Sequence, residues 1–163
     1  MGSVCGEFGR RKVAKIATTL WLCAALAGLR STAAAAEHEI NTFAAQWAPL
    51  VLFIAPGDTV IWRGMTGHET ELIHGMAPAE NAIWRSALGE EGFRVTLEQE
   101  GAYIYKCHTH MNAGMVGAII VGDGEPRNLA EIEAALPAID VGRAAVARVL
   151  ARLKRELLVR SAR

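Results

Sequence analysis

The sequence predicts a mainly β fold: a β-sandwich of seven or eight short strands followed by two C-terminal α-helices. Three observations carry the prediction. Apolar or alternating runs recur roughly every ten residues between Glu37 and Val121, separated by Gly, Pro and Asp turn signals. After Glu125 the pattern changes to helical caps and an apolar stripe at helical spacing. Between the last two strand runs, the nine residues Cys107–Met115 hold one Cys, two His and two Met. At 163 residues, one folded domain is expected.

The chain opens on a stretch that reads as an export signal, residues 1–36. Arg10, Arg11, Lys12 and Lys15 form a basic n-region, Ile16–Leu29 an apolar core, and Ala33–Ala36 an A-x-A cleavage run. The core is shorter than the roughly 20 residues of a spanning helix, so no membrane span is expected after cleavage. Arg10-Arg11-Lys12 faintly resembles a twin-arginine signal. Cys5 and Cys23 fall inside the signal, which leaves Cys107 as the one cysteine of the mature chain. A lone thiol in an oxidising compartment is prone to oxidation unless buried or held by a metal.

Residues 37–125 are expected to form the sandwich. Glu39–Phe43 alternates weakly. Leu50–Ile54 is apolar and continuous, Pro56-Gly57-Asp58 is a turn, and Thr59–Arg63 is the next strand. His68–Ile73 and Phe93–Leu97 alternate; Ala102–Cys107 and Val116–Val121 complete the set. The stretch His74–Gly92, with Pro78 and Trp84, is long for a hairpin loop and is expected to cross between sheets, with a helical turn.

Residues 126–163 are expected to form a helical extension packed on the sandwich. Asn128-Leu129-Ala130-Glu131 has a capping pattern, and Pro137 stops that helix. Asp140 is the expected cap of a second helix over 141–159. Its stripe is Val146, Val149, Leu150, Leu153 and Leu157, with Arg143, Arg148, Arg152 and Arg155 off it. Residues 37–125 carry 4 basic and 12 acidic side chains, residues 126–163 carry 8 and 4. A nucleic-acid footprint would need a basic face, so no nucleic-acid partner is expected.

The chemistry lies in the loop. A thiolate, an imidazole and a thioether at Cys107, His110 and Met115 suit copper in both oxidation states, because thiolate and thioether favour Cu(I) while imidazole accepts either. His68, just past the run Thr59–Trp62, is the best second imidazole. His68, Cys107, His110 and Met115 then make a trigonal His2Cys set with a weak axial Met. His38, His74 and His108 are assigned to surface or supporting positions, and Met111 to the surface.

These residues resemble the cupredoxin family, of the pseudoazurin type. The matching pieces are Pro56-Gly57-Asp58-Thr59-Val60, Gly67-His68, Gly101-Ala102-Tyr103, Cys107-x-x-His110, Gly114-Met115-Val116-Gly117 and Val121-Gly122-Asp123, in the family's order. The resemblance implies a Greek-key sandwich and a periplasmic electron carrier with one type 1 copper per chain, acting as a monomer. Its implied partners are periplasmic redox proteins, a cytochrome c or a copper oxidoreductase such as nitrite reductase. A site with a full ligand set leaves no open position for substrate, so no enzyme activity is expected. A copper carrier or chaperone without a relay role is the alternative, given the additional Met and His residues. Glu69, His108 and Thr109 depart from the family's Asn, Thr and Pro; Glu69 and His108 are expected to pair and tie the two ligand loops together. Gly114 and Gly117 are expected to let the chain curve around the metal. The docking face is expected around the edge of His110, framed by Met65, Thr109, Met111 and Ala113. Lys106 is the one lysine nearby and residues 37–125 carry −8 (4 basic, 12 acidic), so long-range steering is expected to be weak or to favour a basic partner.

Overall fold

In the computed structural model, which describes residues 1–2, 34–79 and 82–162, eight strands build two four-stranded sheets. The export signal lies almost wholly outside the described residues. The strands are β1 (Glu37–Phe43), β2 (Gln46–Ala48), β3 (Val51–Ile54), β4 (Thr59–Arg63), β5 (Glu71–Leu72), β6 (Arg94–Thr96), β7 (Gly101–Lys106) and β8 (Val116–Val121). One sheet runs β2-β1-β4-β6, the other β3-β8-β7-β5. The β1–β4 and β3–β8 pairings are parallel, the remainder antiparallel.

The sequence pattern explains which strands are wholly apolar. Successive side chains point to opposite faces of a sheet. On β7 and β8, Tyr103, Tyr105, Ile119 and Val121 face the core between the sheets, with Trp62, Trp84 and Leu97. Ala102, Ile104, Val116, Ala118 and Ile120 face a second core on the other side, against the C-terminal helices. Both faces are covered, so these strands read as continuous apolar runs instead of alternating ones. Gly117 is opposite Tyr105 in the β7–β8 register. A Cβ there would lie 2.5 Å from the buried Tyr105 ring, so this glycine makes room for an aromatic side chain. That replaces the expected curvature role; Gly114, with φ +83°, does make the turn.

β2 is an addition to the predicted strands. It pairs with β1 through Thr42–Trp47 and delivers Trp47 to the inter-sheet core. The connection His74–Gly92 contains no helix among its described residues; it packs Trp84 into the core and pairs Arg85 with Glu71.

The helices are α1 (Leu129–Ala135) and α2 (Arg143–Ser161), with a 3-10 turn over Leu136–Ala138 between them. Val146, Val149, Leu150 and Leu153 of α2 are buried with β8 residues. Two expected caps are corrected. Asn128 precedes α1 but makes no capping bond. Its Oδ1 accepts the Ala102 N–H at 2.8 Å, and its Nδ2 donates to the Ala102 carbonyl at 2.9 Å. Those backbone groups lie beyond the reach of the two-residue β5, and the amide serves them as a neighbouring strand would. The residue before α2 is Gly142, not Asp140. It is left-handed at φ +80°, and a Cβ there would overlap Met111 Cε. Only a glycine lets the helix start this close to the loop.

Asp58 ties the first strand down. Its carboxylate, 5 % exposed as a residue, accepts the N–H groups of Ala36 and Ala55 and sits 2.7 Å from His38 Nε2. The Ala36 N–H contributes most, then His38 and Ala55; together they outweigh burial and hold the Asp58 carboxyl below the usual aspartate range. A depressed carboxyl contributes stability that is present above the unfolded-state pKa and lost as pH falls through the folded one. Thermal unfolding between pH 6 and pH 2 should therefore show Asp58→Asn converging on the wild type below about pH 4. A constant difference across that range would show that ionisation of Asp58 is irrelevant.

Candidate metal centre

Three elements bring the site together. His68 follows β4 in a tight turn, its N–H donating to the Met65 carbonyl at 2.8 Å and its carbonyl accepting from Gly89. Cys107 ends β7, and His110 lies three residues on, at the head of a 3-10 turn over Met111–Ala113. The His110 carbonyl accepts from both Ala113 and Met115, which folds the loop back on itself. The Cys107 N–H then donates to the Met115 carbonyl at 2.9 Å.

The result is a compact donor set. Cys107 Sγ is 3.9 Å from His68 Nδ1 and 3.4 Å from His110 Nδ1. The three ligand atoms lie within 4.8 Å of one another, with Cys107 buried and both imidazoles half-buried. Metal–sulfur and metal–nitrogen bonds, as for zinc, together span about 4.3 Å, so one ion reaches both nitrogen–sulfur pairs. Met115, 1 % exposed, belongs to the same core cluster as Cys107. Thiolate, two imidazoles and a nearby thioether fit copper that changes oxidation state. Burial, with His110 beside it, lowers the pKa of His68 and favours the neutral, ligating imidazole. The ring of Trp47 tilts against His68 with centroids 6.4 Å apart.

The two ligand loops are tied together, but by a different pair from the expected one. Glu69 accepts the Thr109 hydroxyl at 2.9 Å and Arg85 Nη2 at 3.3 Å. Burial works to raise the Glu69 pKa, yet Thr109 and Arg85 outweigh it and leave the carboxyl below its usual range. His108 turns away and pairs at 3.1 Å with Glu71 of β5, which Lys106 approaches at 3.8 Å. The link from Glu69 thus reaches the residue before His110, not the one after Cys107. Hydrogen bonds of this kind orient ligands and tune the metal.

Two residues expected on the surface are inside. Met65 is fully buried and Met111 is 8 % exposed, packed against Gly142. Exposed around His110 are Thr109, Asn112 and Ala113. Sequence reasoning missed Arg143 and Arg148, which line one recess with Asn112, Ala113 and Gly114. The Arg148 guanidinium lies where a Cβ on Gly114 would be. Arg148 is remote in sequence from the loop; only the packing of α2 on β8 brings it there.

The chain is similar to known copper-binding proteins. Residues 34–122 match the copper-binding proteins of the plastocyanin/azurin family. A relative from Rhizobium leguminosarum bv. viciae, assigned as a pseudoazurin, is 34 % identical over 119 residues, which is 69 % of this chain and 77 % of the relative. The pseudoazurin of Methylorubrum extorquens is 36 % identical over 76 residues, about half its own length at 51 %. The solved pseudoazurin from Sinorhizobium meliloti is 32 % identical with TM-score 0.62, covering 72 % of this chain and 96 % of its own. On this family match and this His-Cys-His cluster, the chain belongs to the plastocyanin/azurin family, as a pseudoazurin-like cupredoxin: an electron-transfer protein with one type 1 copper, and not an enzyme.

Proposed function

We propose that this chain is a periplasmic one-electron carrier whose copper would be held by His68 Nδ1, His110 Nδ1 and Cys107 Sγ, with the Met115 thioether as a fourth, weak donor. The observation that carries this reading is the approach of both imidazole nitrogens to one buried thiol. Copper bound there supplies the reversible Cu(II)/Cu(I) couple. The chain's own part is to hold the donors still, through the paired backbones of Cys107, His110 and Met115, and to keep water away. The buried Cys107 and Met115 speak against a carrier that hands its copper on. Replacing Met115 with Leu should keep the copper and the blue colour and raise the reduction potential, since losing the axial donor favours Cu(I). Protein-film voltammetry reads the shift; an unchanged potential would remove Met115 from the ligand set.

The leader ends within the alanine run Ala33–Ala36, ahead of the copper sandwich over 37–125 and the helical extension over 126–163. Among the described residues no helix is long and apolar enough to cross a membrane. Electrons leave by the half-buried edge of His110, to a periplasmic oxidoreductase of the cytochrome c or copper nitrite reductase kind. The net charge of residues 37–125 suggests a basic partner, but Arg143 and Arg148 beside Asn112–Gly114 favour an acidic docking face on the partner. Stopped-flow electron transfer to an acidic acceptor should slow as ionic strength rises, because salt screens opposite charges. A rate that rises with salt would return the choice to a basic partner.

A further inference from the structure

The alanine run at the end of the leader offers two cuts of equal standing. Ala33-Ala34-Ala35 and Ala34-Ala35-Ala36 both place small residues at the first and third positions that a leader peptidase reads. Ala34, Ala35 and Ala36 are all exposed. The folded chain does not treat the two bonds alike. Ala36 is held at both its backbone groups: its carbonyl accepts the Thr59 N–H at 2.9 Å, and its N–H donates to Asp58 Oδ1 at 2.8 Å. A cut after Ala36 removes the partner of a carboxylate oxygen on a buried side chain. A cut after Ala35 leaves that nitrogen in place and changes its charge.

We propose that the mature chain begins at Ala36 and that the Asp58 carboxylate is the binding site for the new α-ammonium. Water adds across the Ala35–Ala36 amide in the leader peptidase; the carbonyl carbon leaves with the leader as a carboxylate, and the nitrogen stays on Ala36 and takes up a proton. Asp58 is built to receive it. Its other oxygen is already engaged by the Ala55 N–H at 3.0 Å, from the turn before β4, and by His38 Nε2 at 2.7 Å, from β1 itself. The amide N–H already donates to an ionised acceptor; the ammonium adds a Coulomb attraction to that bond. Processing therefore strengthens the anchor of β1, which in turn pairs with β4 from Glu37 onward.

This inference rests on the export reading, and two measurements separate them. The intact mass of the exported protein should correspond to a chain starting at Ala36. A start at Glu37 overturns the proposal; retention of the leader overturns the export reading, and the second measurement still decides the ammonium site. In that measurement, copper-loaded chains beginning at Ala36 are compared with a free and with an acetylated N-terminus. Acetylation keeps an N–H and removes the charge, and it should raise the unfolding constant roughly tenfold. In Asp58→Asn the free and acetylated forms should unfold alike. Equal unfolding of the two wild-type forms, or an undiminished acetylation effect in Asp58→Asn, overturns the site. Should Asp58→Asn not fold, the wild-type pair alone decides between the two outcomes.

Discussion

Replacing Cys107 with Ser should abolish the blue colour completely. The colour of a type 1 site is charge transfer from a thiolate to Cu(II), and Cys107 Sγ lies 3.4 Å and 3.9 Å from the two imidazole nitrogens. A serine hydroxyl is a hard, weakly acidic donor and does not bind Cu(I) as a thiolate does. The fold should survive. Cys107 is fully buried, but its backbone N–H is held by Met115, and a hydroxyl in the same place can bond either imidazole. Circular dichroism should therefore be unchanged, while the intense visible band disappears and copper affinity falls. A blue Cys107→Ser protein would sink the assignment of the thiolate ligand.

The largest stability effect away from the metal should come from Asn128→Ala. This change strands both the N–H and the C=O of Ala102, a residue with no exposed surface. A buried backbone group without a partner costs about 1–3 kcal/mol, so the pair should cost about 2–4 kcal/mol. In a chain of this size that lowers the melting temperature on the order of 10 °C. Asn128→Asp should not rescue it, because a carboxylate keeps the acceptor but faces the Ala102 carbonyl. The blue spectrum should stay as in the wild type. A loss below about 0.5 kcal/mol would mean that water replaces the amide.

Asn128 also shows where sequence reading ends. Its place three residues before Glu131 is a capping signature, and local pattern cannot distinguish a cap from a long-range amide clamp. The strands that carry the site were legible because β7 and β8 are buried on both faces and the ligand types crowd one loop. β2 was not, since three residues with one inward Trp47 make no periodic signal. Glu69 was legible as a departure from the family, but not its partner. Thr109 and His108 are neighbours on an irregular loop, and only its turn decides which side chain faces Glu69 and which faces Glu71. The burial of Met111 and the position of Arg148 both follow from the docking of α2 on β8, a contact between segments far apart in the chain.

That dependence on distant segments has a kinetic side in the parallel β3–β8 pairing. Val51 meets Ala118 across almost the entire sandwich, so the second sheet closes only when a long stretch of chain has been ordered. Closing such loops is the slow part of β-sandwich folding. His68 lies in the first part of that stretch, and Cys107, His110 and Met115 at its far end, beside β8. The proposed donors His68 and Cys107 stand 39 residues apart, so the complete site exists only once these segments have met. Copper bound to the finished site acts on the native state, so it holds the protein folded by slowing its escape far more than by hastening its arrival.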